Sequence, residues 1–334
     1  MTDDLGKKPL LEIKNLRVDL PTRQGSMRVV DQVSFSLDRG KTLGLVGESG
    51  CGKSMLAKAI MGLLPFKAQV SIDSKVEFMG QNLLKMSATQ IRQIIGRDIG
   101  LIFQDPMTSL NPVMKIGSQV SEIFRHHLGL NRAVARDRAV RLLGSVGIPI
   151  PERCATQYPH QLSGGLRQRV AIAIAIACKP QILIADEPTT ALDVTVQAEI
   201  LDLLAELQQE KQMAMILITH DLGIVAGRTH EAAVMYAGKI VEHAPTTKLF
   251  KKMRMPYTRA LMRAIPRLAD PPHTELKTIN GQPPDLLYLP EGCSFSPRCP
   301  NSQILCTKRR PDLECSNLGN HRFACWYPLN VEEG

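Results

Sequence analysis

Eight consecutive residues, Gly47, Glu48, Ser49, Gly50, Cys51, Gly52, Lys53 and Ser54, fit the spacing G-x-x-x-x-G-K-[ST]. The glycines let backbone N–H groups wrap around phosphates. The helix that follows points its positive end at them, Lys53 reaches the outer phosphates, and Ser54 offers a hydroxyl to Mg²⁺. A short apolar run at 42–46 precedes the loop and a helical stretch at 53–64 follows it, so the strand–turn–helix context is present and the segment reads as a nucleoside triphosphate site. Cys51 inside the loop is either an inert small residue or, if exposed near the helix start, a thiol with a lowered pKa.

A second set of residues carries the chemistry of hydrolysis. The run Ile182-Leu183-Ile184-Ala185-Asp186-Glu187 reads as a buried strand ending in two acids. In an open α/β sheet, ligands sit at the carboxyl ends of strands. There Asp186 suits Mg²⁺, usually through water, and Glu187 suits the base that activates the attacking water. His220 ends the next strand candidate, 213–219, on the same edge, where contact with the γ-phosphate or the water competes with a structural role. Leu162-Ser163-Gly164-Gly165-Leu166-Arg167-Gln168-Arg169 opens an apolar helix. Its glycines allow close backbone approach, and Ser163 with the helix N-terminus forms a second anion-binding device.

The surrounding elements follow from periodicity. Segments 10–18 and 28–37 alternate as strands, the first loosely, and Asp38-Arg39-Gly40 is a turn signal. Residues 85–180 are expected to be mostly helical, including an amphipathic helix at 132–141 whose apolar side takes Val134, Ala139, Val140 and Leu143. Buried strands are expected at 181–185 and 213–219, with a helix at 196–209 between them. Prolines at Pro271-Pro272 and Pro283-Pro284 mark a looser segment, which places a domain boundary near 250–260.

Composition narrows the classes. At 334 residues, 44% hydrophobic and 22% charged, the chain is globular rather than disordered, collagenous or a coiled coil; with 4% aromatics its core must be aliphatic. No apolar run reaches the roughly 18 residues of a membrane span; the best, 170–178, stops at Lys179-Pro180. The N-terminus lacks a basic-then-apolar signal pattern, so a cytoplasmic location is expected. The net charge of +9 suits nucleic acid or an anionic membrane equally. Of eight cysteines, Cys293, Cys299, Cys306 and Cys325 cluster late in the chain with Cys315 spare. In a reducing compartment that spacing suggests a Cys₄ metal centre, zinc or iron–sulfur, or simply reduced thiols.

Adding Gln104 in Ile102-Phe103-Gln104-Asp105-Pro106 and the run Thr190-Ala191-Leu192-Asp193, six motifs stand in one order: phosphate loop, Gln loop, L-S-G-G, acidic strand, A-L-D and His220. Over about residues 10–250 the chain resembles the ABC-type ATPases. That resemblance implies an α/β fold: an ABC-type nucleotide-binding domain with a RecA-like core, antiparallel β and helical subdomains, plus a small Cys-rich C-terminal extension. The expected boundaries are 1–255, with the helical subdomain about 90–175, and 256–334. It also implies a head-to-tail pair, in which Ser163 and Gly165, with Gly164, act on the partner's ATP. Gln104 would contact Mg²⁺ and relay the nucleotide state, and Asp193 would join the two sites. One departure is Met27, which stands where the family usually stacks an aromatic residue on adenine. Base selectivity is therefore expected to be relaxed.

Transport is expected over the alternative, a soluble ABC-type ATPase on nucleic acid or the ribosome. There is no second ATPase copy, no long heptad segment and no aromatic-rich basic stretch. Further segments, Asp105 to Pro112, Tyr158-Pro159-His160-Gln161, Met235-Tyr236-Ala237-Gly238, Pro256-Tyr257 and Gly292 through Pro300, resemble the ATP-binding subunits of bacterial oligopeptide and dipeptide importers. This implies ATP and Mg²⁺ as cofactors and a peripheral place on the cytoplasmic face of the inner membrane. The implied partners are two membrane-spanning permease subunits, a second and different ATP-binding subunit and, indirectly, an external solute-binding protein. It also favours a 4Fe-4S cluster over zinc at the four cysteines, as a structural staple.

Overall fold

The structure is a computed structural model that describes residues 8–190, 192–265, 278–315 and 320–329. Ala191 of the A-L-D run, Pro271-Pro272 and the first seven residues lie outside these. In chain order come β1 (Leu11–Thr22), β2 (Gly25–Leu37), β3 (Thr42–Val46), α1 (Lys53–Ile60), β4 (Gln69–Val70), β5 (Lys75–Phe78) and β6 (Gln81–Asn82). Then follow α2 (Ala88–Ile94), β7 (Ile99–Ile102), α3 (Pro106–Ser109), α4 (Ile116–Leu128), α5 (Arg132–Ser145), α6 (Pro151–Thr156), α7 (Gly164–Ile176), β8 (Ile182–Asp186) and α8 (Val194–Lys211). The chain continues through β9 (Ala214–Thr219), α9 (Leu222–Val225), β10 (Glu231–Tyr236), β11 (Lys239–Pro245), α10 (Thr246–Lys251) and α11 (Pro256–Arg263). It closes with α12 (Ile304–Lys308), β12 (Glu314–Cys315) and β13 (Arg322–Phe323). Contacts group these into two compact units. One comprises Met1–Leu37, Thr42–Leu84 and Leu217–Gly334, the other Asp38–Lys41 and Lys85–Ile216.

In the first unit, β1 and β2 form an antiparallel hairpin in which Leu11 faces Leu37, Ile13 faces Phe35 and Val18 faces Val30. The loose alternation of β1 has a physical cause. Its register shifts between Ile13 and Leu16, where Asn15 takes a left-handed φ of 48°, so that Leu11, Ile13, Leu16 and Val18 all turn inward. β5 and β4 pair with β1, and β6 with β5. A second array runs β3, β10, β11, β13, β12, with β3 and β10 parallel and the later pairs antiparallel. Its core gathers Val46, Leu222, Val225, Val234, Leu249, Met255, Tyr257 and Phe295. Gly44 of β3 is required by close packing, because a Cβ there would lie 2.8 Å from Val225. The fully buried carboxyl of Glu242 on β11 accepts the Arg254 N–H (2.7 Å) and the Met255 N–H (3.2 Å) and lies 2.7 Å from His321 Nε2. These bonds tie residue 321 and the approach to α11 onto β11.

In the second unit, β7 and β8 pair in parallel, Ile99 opposite Ile182 and Ile102 opposite Ala185. α7 lies close against β7, since a Cβ on Gly100 would fall 2.4 Å from the Ala175 carbonyl. Helices α4, α5 and α6 form the helical part, with Gly117 of α4 against Ala155 of α6. The stretch 85–180 is mostly helical, as expected, with one addition, and one expectation, the inner side of α5, needs correction. The stretch 85–180 contains a strand, β7, whose run Ile-Gly-Leu-Ile is too short for periodicity to separate from a helical segment. α5 is present and capped by Asn131, but it buries Ala135, Ala139 and Leu143 at strict four-residue spacing and leaves Val134 exposed. Small residues on the inner side let α5 approach its neighbours, which a pattern search for large apolar residues misses. Among the described residues, no helix is long and apolar enough to cross a membrane.

Candidate active site

The phosphate loop connects β3 to α1 in the first unit. Gly50 and Gly52 have φ of 79° and 107°, the left-handed region that only glycine enters freely. At Gly47 a Cβ would sit 2.2 Å from the Met235 carbonyl, and at Gly52 one would sit 2.2 Å from that of Val29. No side chain caps the start of α1, whose N-cap is Gly52, so its first amides are turned to the loop. Lys53 is buried and donates from Nζ to the carbonyls of Gly47 (2.7 Å) and Glu48 (3.1 Å). Ser49 lies within the loop and Ser54 in the first turn of α1, half-buried. Cys51 is 6% exposed, and burial raises its thiol pKa against the opposing charge of Lys53, which favours an inert thiol over a reactive one. Met27 is half-buried on β2 opposite Leu20, and His220 follows β9 on the surface, both in this unit.

Of the residues expected to act in hydrolysis, Gln104, Asp186 and Glu187 lie in the second unit. All five residues of β8 are buried, ending at Asp186. Glu187 is next, 8% exposed and in a left-handed conformation (φ 46°) that turns the chain off the strand. Its Oε2 accepts hydrogen bonds from Gln104 Nε2 (3.2 Å) and Thr190 Oγ1 (3.1 Å). Two predicted residues are thus in contact, and Thr190, quoted only as part of a run, proves to orient the acid. Ser163 caps α7, accepting the Leu166 N–H at 3.4 Å. Gly165 packs against α8, with a Cβ there 2.7 Å from Val196, and Gly164 faces Leu192. Asp193 caps α8 through the Val196 N–H (3.0 Å).

The late cysteines belong to the first unit. Cys293, Cys299, Cys306 and Cys325 line one small enclosed cavity of about 10 Å³, with Phe295, Pro256 and Trp326 around it. Burial raises the thiols of Cys293, Cys299 and Cys325, the last to about 12. Among the described residues, no group of three His, Cys, Asp or Glu is arranged to hold a metal ion. The expectation of a metal centre is therefore not met by this arrangement, although the soft donors are drawn to one place. Cys315 stands apart and exposed.

Arg298 and Tyr257 hold the phosphate loop from outside it and Tyr236 supports Tyr257; all three lie in segments that carry the importer resemblance, but none was marked as a site residue. Arg298 forms an ion pair with Glu48 (2.7 Å), Tyr257 accepts the Glu48 N–H (3.0 Å), and Tyr236 packs against Tyr257 (ring centroids 4.5 Å). The scarcity of aromatics was a further signal, since two of only five tyrosines in the sequence meet here.

Comparison with known proteins agrees with these features. Residues 30–190 match the ABC transporter family model, and residues 241–306 match that of the oligopeptide/dipeptide transporter C-terminal region. A dipeptide transport ATP-binding protein of Bacillus subtilis is 46% identical over 95% of this chain and 94% of its own length. An oligopeptide transport ATP-binding protein of Salmonella typhimurium is 46% identical over 96% of this chain and 94% of its own. A dimeric ATP-binding cassette solved in a post-hydrolysis state with ADP and Pi superposes with a TM-score of 0.64. It is 26% identical and covers 71% of this chain and 98% of that one. The fold is that of an ABC ATPase, and the chain belongs to the dipeptide and oligopeptide transport ATP-binding proteins of the ABC transporter family.

Proposed function

We propose that this chain hydrolyses ATP to energise the import of di- or oligopeptides through separate membrane subunits. The observation that carries the reading is Glu187, a buried acid at the end of β8 with Gln104 and Thr190 on its carboxyl, in a chain that keeps an intact phosphate loop. The loop suits a triphosphate because Gly50 and Gly52 take left-handed backbone conformations, which let successive N–H groups face one concavity, and Lys53 follows at the start of α1. Ser54, Asp186 and Gln104, the residues that the sequence motifs and the family resemblance assign to magnesium, can each offer an oxygen donor, as suits a hard cation that keeps water ligands. Mg²⁺ offsets charge on the outer phosphates when bound.

The residue roles follow from chemistry. Lys53 and the amides from Ser49 to Ser54 take the phosphates, while Glu187 accepts the proton of the attacking water. Gln104 keeps the Glu187 carboxyl oriented, and His220 steadies the γ-phosphate or the water. Met27 takes the place of an adenine-stacking ring. Ser163, Gly164, Gly165 and Asp193 serve a second ATP-binding subunit's nucleotide in a head-to-tail pair. That partner and two permease subunits would hold the chain at the cytoplasmic face of the inner membrane. The working division is an ATP-binding domain over 1–255, with a helical part about 90–175, and a C-terminal extension over 256–334. The family match over 30–190 falls inside the first part, and the match over 241–306 runs across the boundary. An iron–sulfur or zinc staple at Cys293, Cys299, Cys306 and Cys325 rests on the resemblance and on the shared cavity. Anaerobic purification giving a colourless protein without iron, sulfide or zinc would reject it.

The direct test of the base is Glu187→Gln. Hydrolysis is expected to fall roughly 10²- to 10⁴-fold while ATP binding is retained. Wild-type turnover in this variant would remove the assignment.

A further inference from the structure

One residue of the phosphate loop is held from outside the loop on both its side chain and its main chain. The carboxyl of Glu48 accepts two N–H bonds from Arg298, Nη1 to Oε2 at 2.7 Å and Nη2 to Oε1 at 2.8 Å. This is the two-pronged fit between guanidinium and carboxylate that lysine cannot make. The guanidinium is itself fixed. Its Nε donates to the Asn280 carbonyl (2.9 Å), Nη2 reaches the Ile279 carbonyl (3.5 Å), and Nη1 reaches the Tyr236 hydroxyl (3.3 Å). Its side chain is only 6% exposed. On the main-chain side, the Glu48 N–H donates to the hydroxyl of Tyr257, a side chain wholly buried between Tyr236 and Phe295. The Glu48 carbonyl in turn accepts from Lys53 Nζ at 3.1 Å.

A carboxylate in a loop that binds a polyanion repels its own ligand unless it is neutralised. We propose that Arg298 is a positioning residue for ATP binding. It cancels the charge of Glu48 and fixes residue 48, so that the loop amides and Lys53 stand ready for the phosphates. This rests on reading the loop as the ATP site. The C-terminal segment, through Arg298 next to Cys299, thereby sets the nucleotide affinity of a loop roughly 250 residues earlier in the chain.

The test is a double-mutant cycle in the full chain carrying Glu187→Gln, read by calorimetric titration with Mg-ATP. Arg298→Ala is expected to weaken ATP binding roughly tenfold. In a Glu48→Gln background, where no charge is left to cancel, the same change is expected to cost less than about twofold, as coupled neighbours require. In the wild-type catalytic background, Arg298→Ala should raise KM for ATP with little change in kcat. Arg298→Lys, which keeps the charge and loses the fork, should fall between, and it carries the cycle if the alanine variant does not fold. Unchanged affinity in the Arg298 variants, or equal losses with and without Glu48, overturns the proposal. If the Glu187→Gln parent itself binds no ATP, it is the reading of the loop that fails.

Discussion

At the scale of single residues, the carboxyls of the candidate site differ in what they hold. Glu187 carries two side-chain hydrogen bonds that orient its carboxyl, whereas the Asp193 carboxyl is engaged as a helix cap. Met27 offers a polarizable side chain where a ring would stack, so GTP is expected to compete measurably with ATP. Competition binding with a strong ATP preference that survives Met27→Ala would contradict this. Away from the nucleotide, Glu231 is held below the usual carboxyl range, chiefly by its hydrogen bond with His243 at 2.9 Å and further by the charges of His243 and Arg322. Because the folded pKa is the depressed one, this contribution to stability is present above the unfolded value of 4.5 and fades as pH falls through the folded one. Glu231→Gln should therefore lose stability at neutral pH and match the parent in acid, which thermal melts from pH 3 to 7 would show. An equal loss at every pH would exclude the linkage.

Among the elements, close backbone approaches make the sharpest demands. Gly47→Ala places a Cβ 2.2 Å from the Met235 carbonyl, which is main chain and cannot swing away. ATP affinity should drop roughly tenfold or more, since a shift of about 1.4 kcal/mol in the loop suffices; normal affinity would show that the loop has slack. His321→Ala strips one partner from the buried Glu242, and a loss of about 1–3 kcal/mol in unfolding free energy is expected. No change in denaturant midpoint would mean that the bond contributes nothing. The elements that carry long-range order through motif or periodicity were legible in sequence: β3, β8 leading into its acids, and α8, each within a residue or two, and the start of α1, which ends four residues before the expected 64. β7 was not, because three apolar residues and a glycine have no period. On the inner side of α5, Ala139 and Leu143 were read but Ala135 was missed, because alanine carries little hydrophobic signal. Arg298 and Tyr257 were invisible as site residues, since contacts 250 and 209 residues apart leave no local pattern.

For the molecule as a whole, motif order and family likeness say more than charge or length. The +9 balance favoured neither membrane nor nucleic acid, while 46% identity across nearly the full chain decides the family. The four late cysteines show the opposite case. Their spacing and the resemblance pointed to a metal centre, yet the described residues offer a thiol-lined cavity without a ligating group of three. The central claim is that ATP hydrolysis at Glu187 drives peptide uptake. Its most direct measurement is ATP-dependent accumulation of a labelled dipeptide or oligopeptide in proteoliposomes. These would hold the chain together with its permease subunits, its ATP-binding partner and the external binding protein. Uptake is expected with the wild-type chain, and its loss together with hydrolysis in Glu187→Gln. Peptide uptake that continues in the Glu187→Gln transporter, or that needs no ATP, would contradict the account.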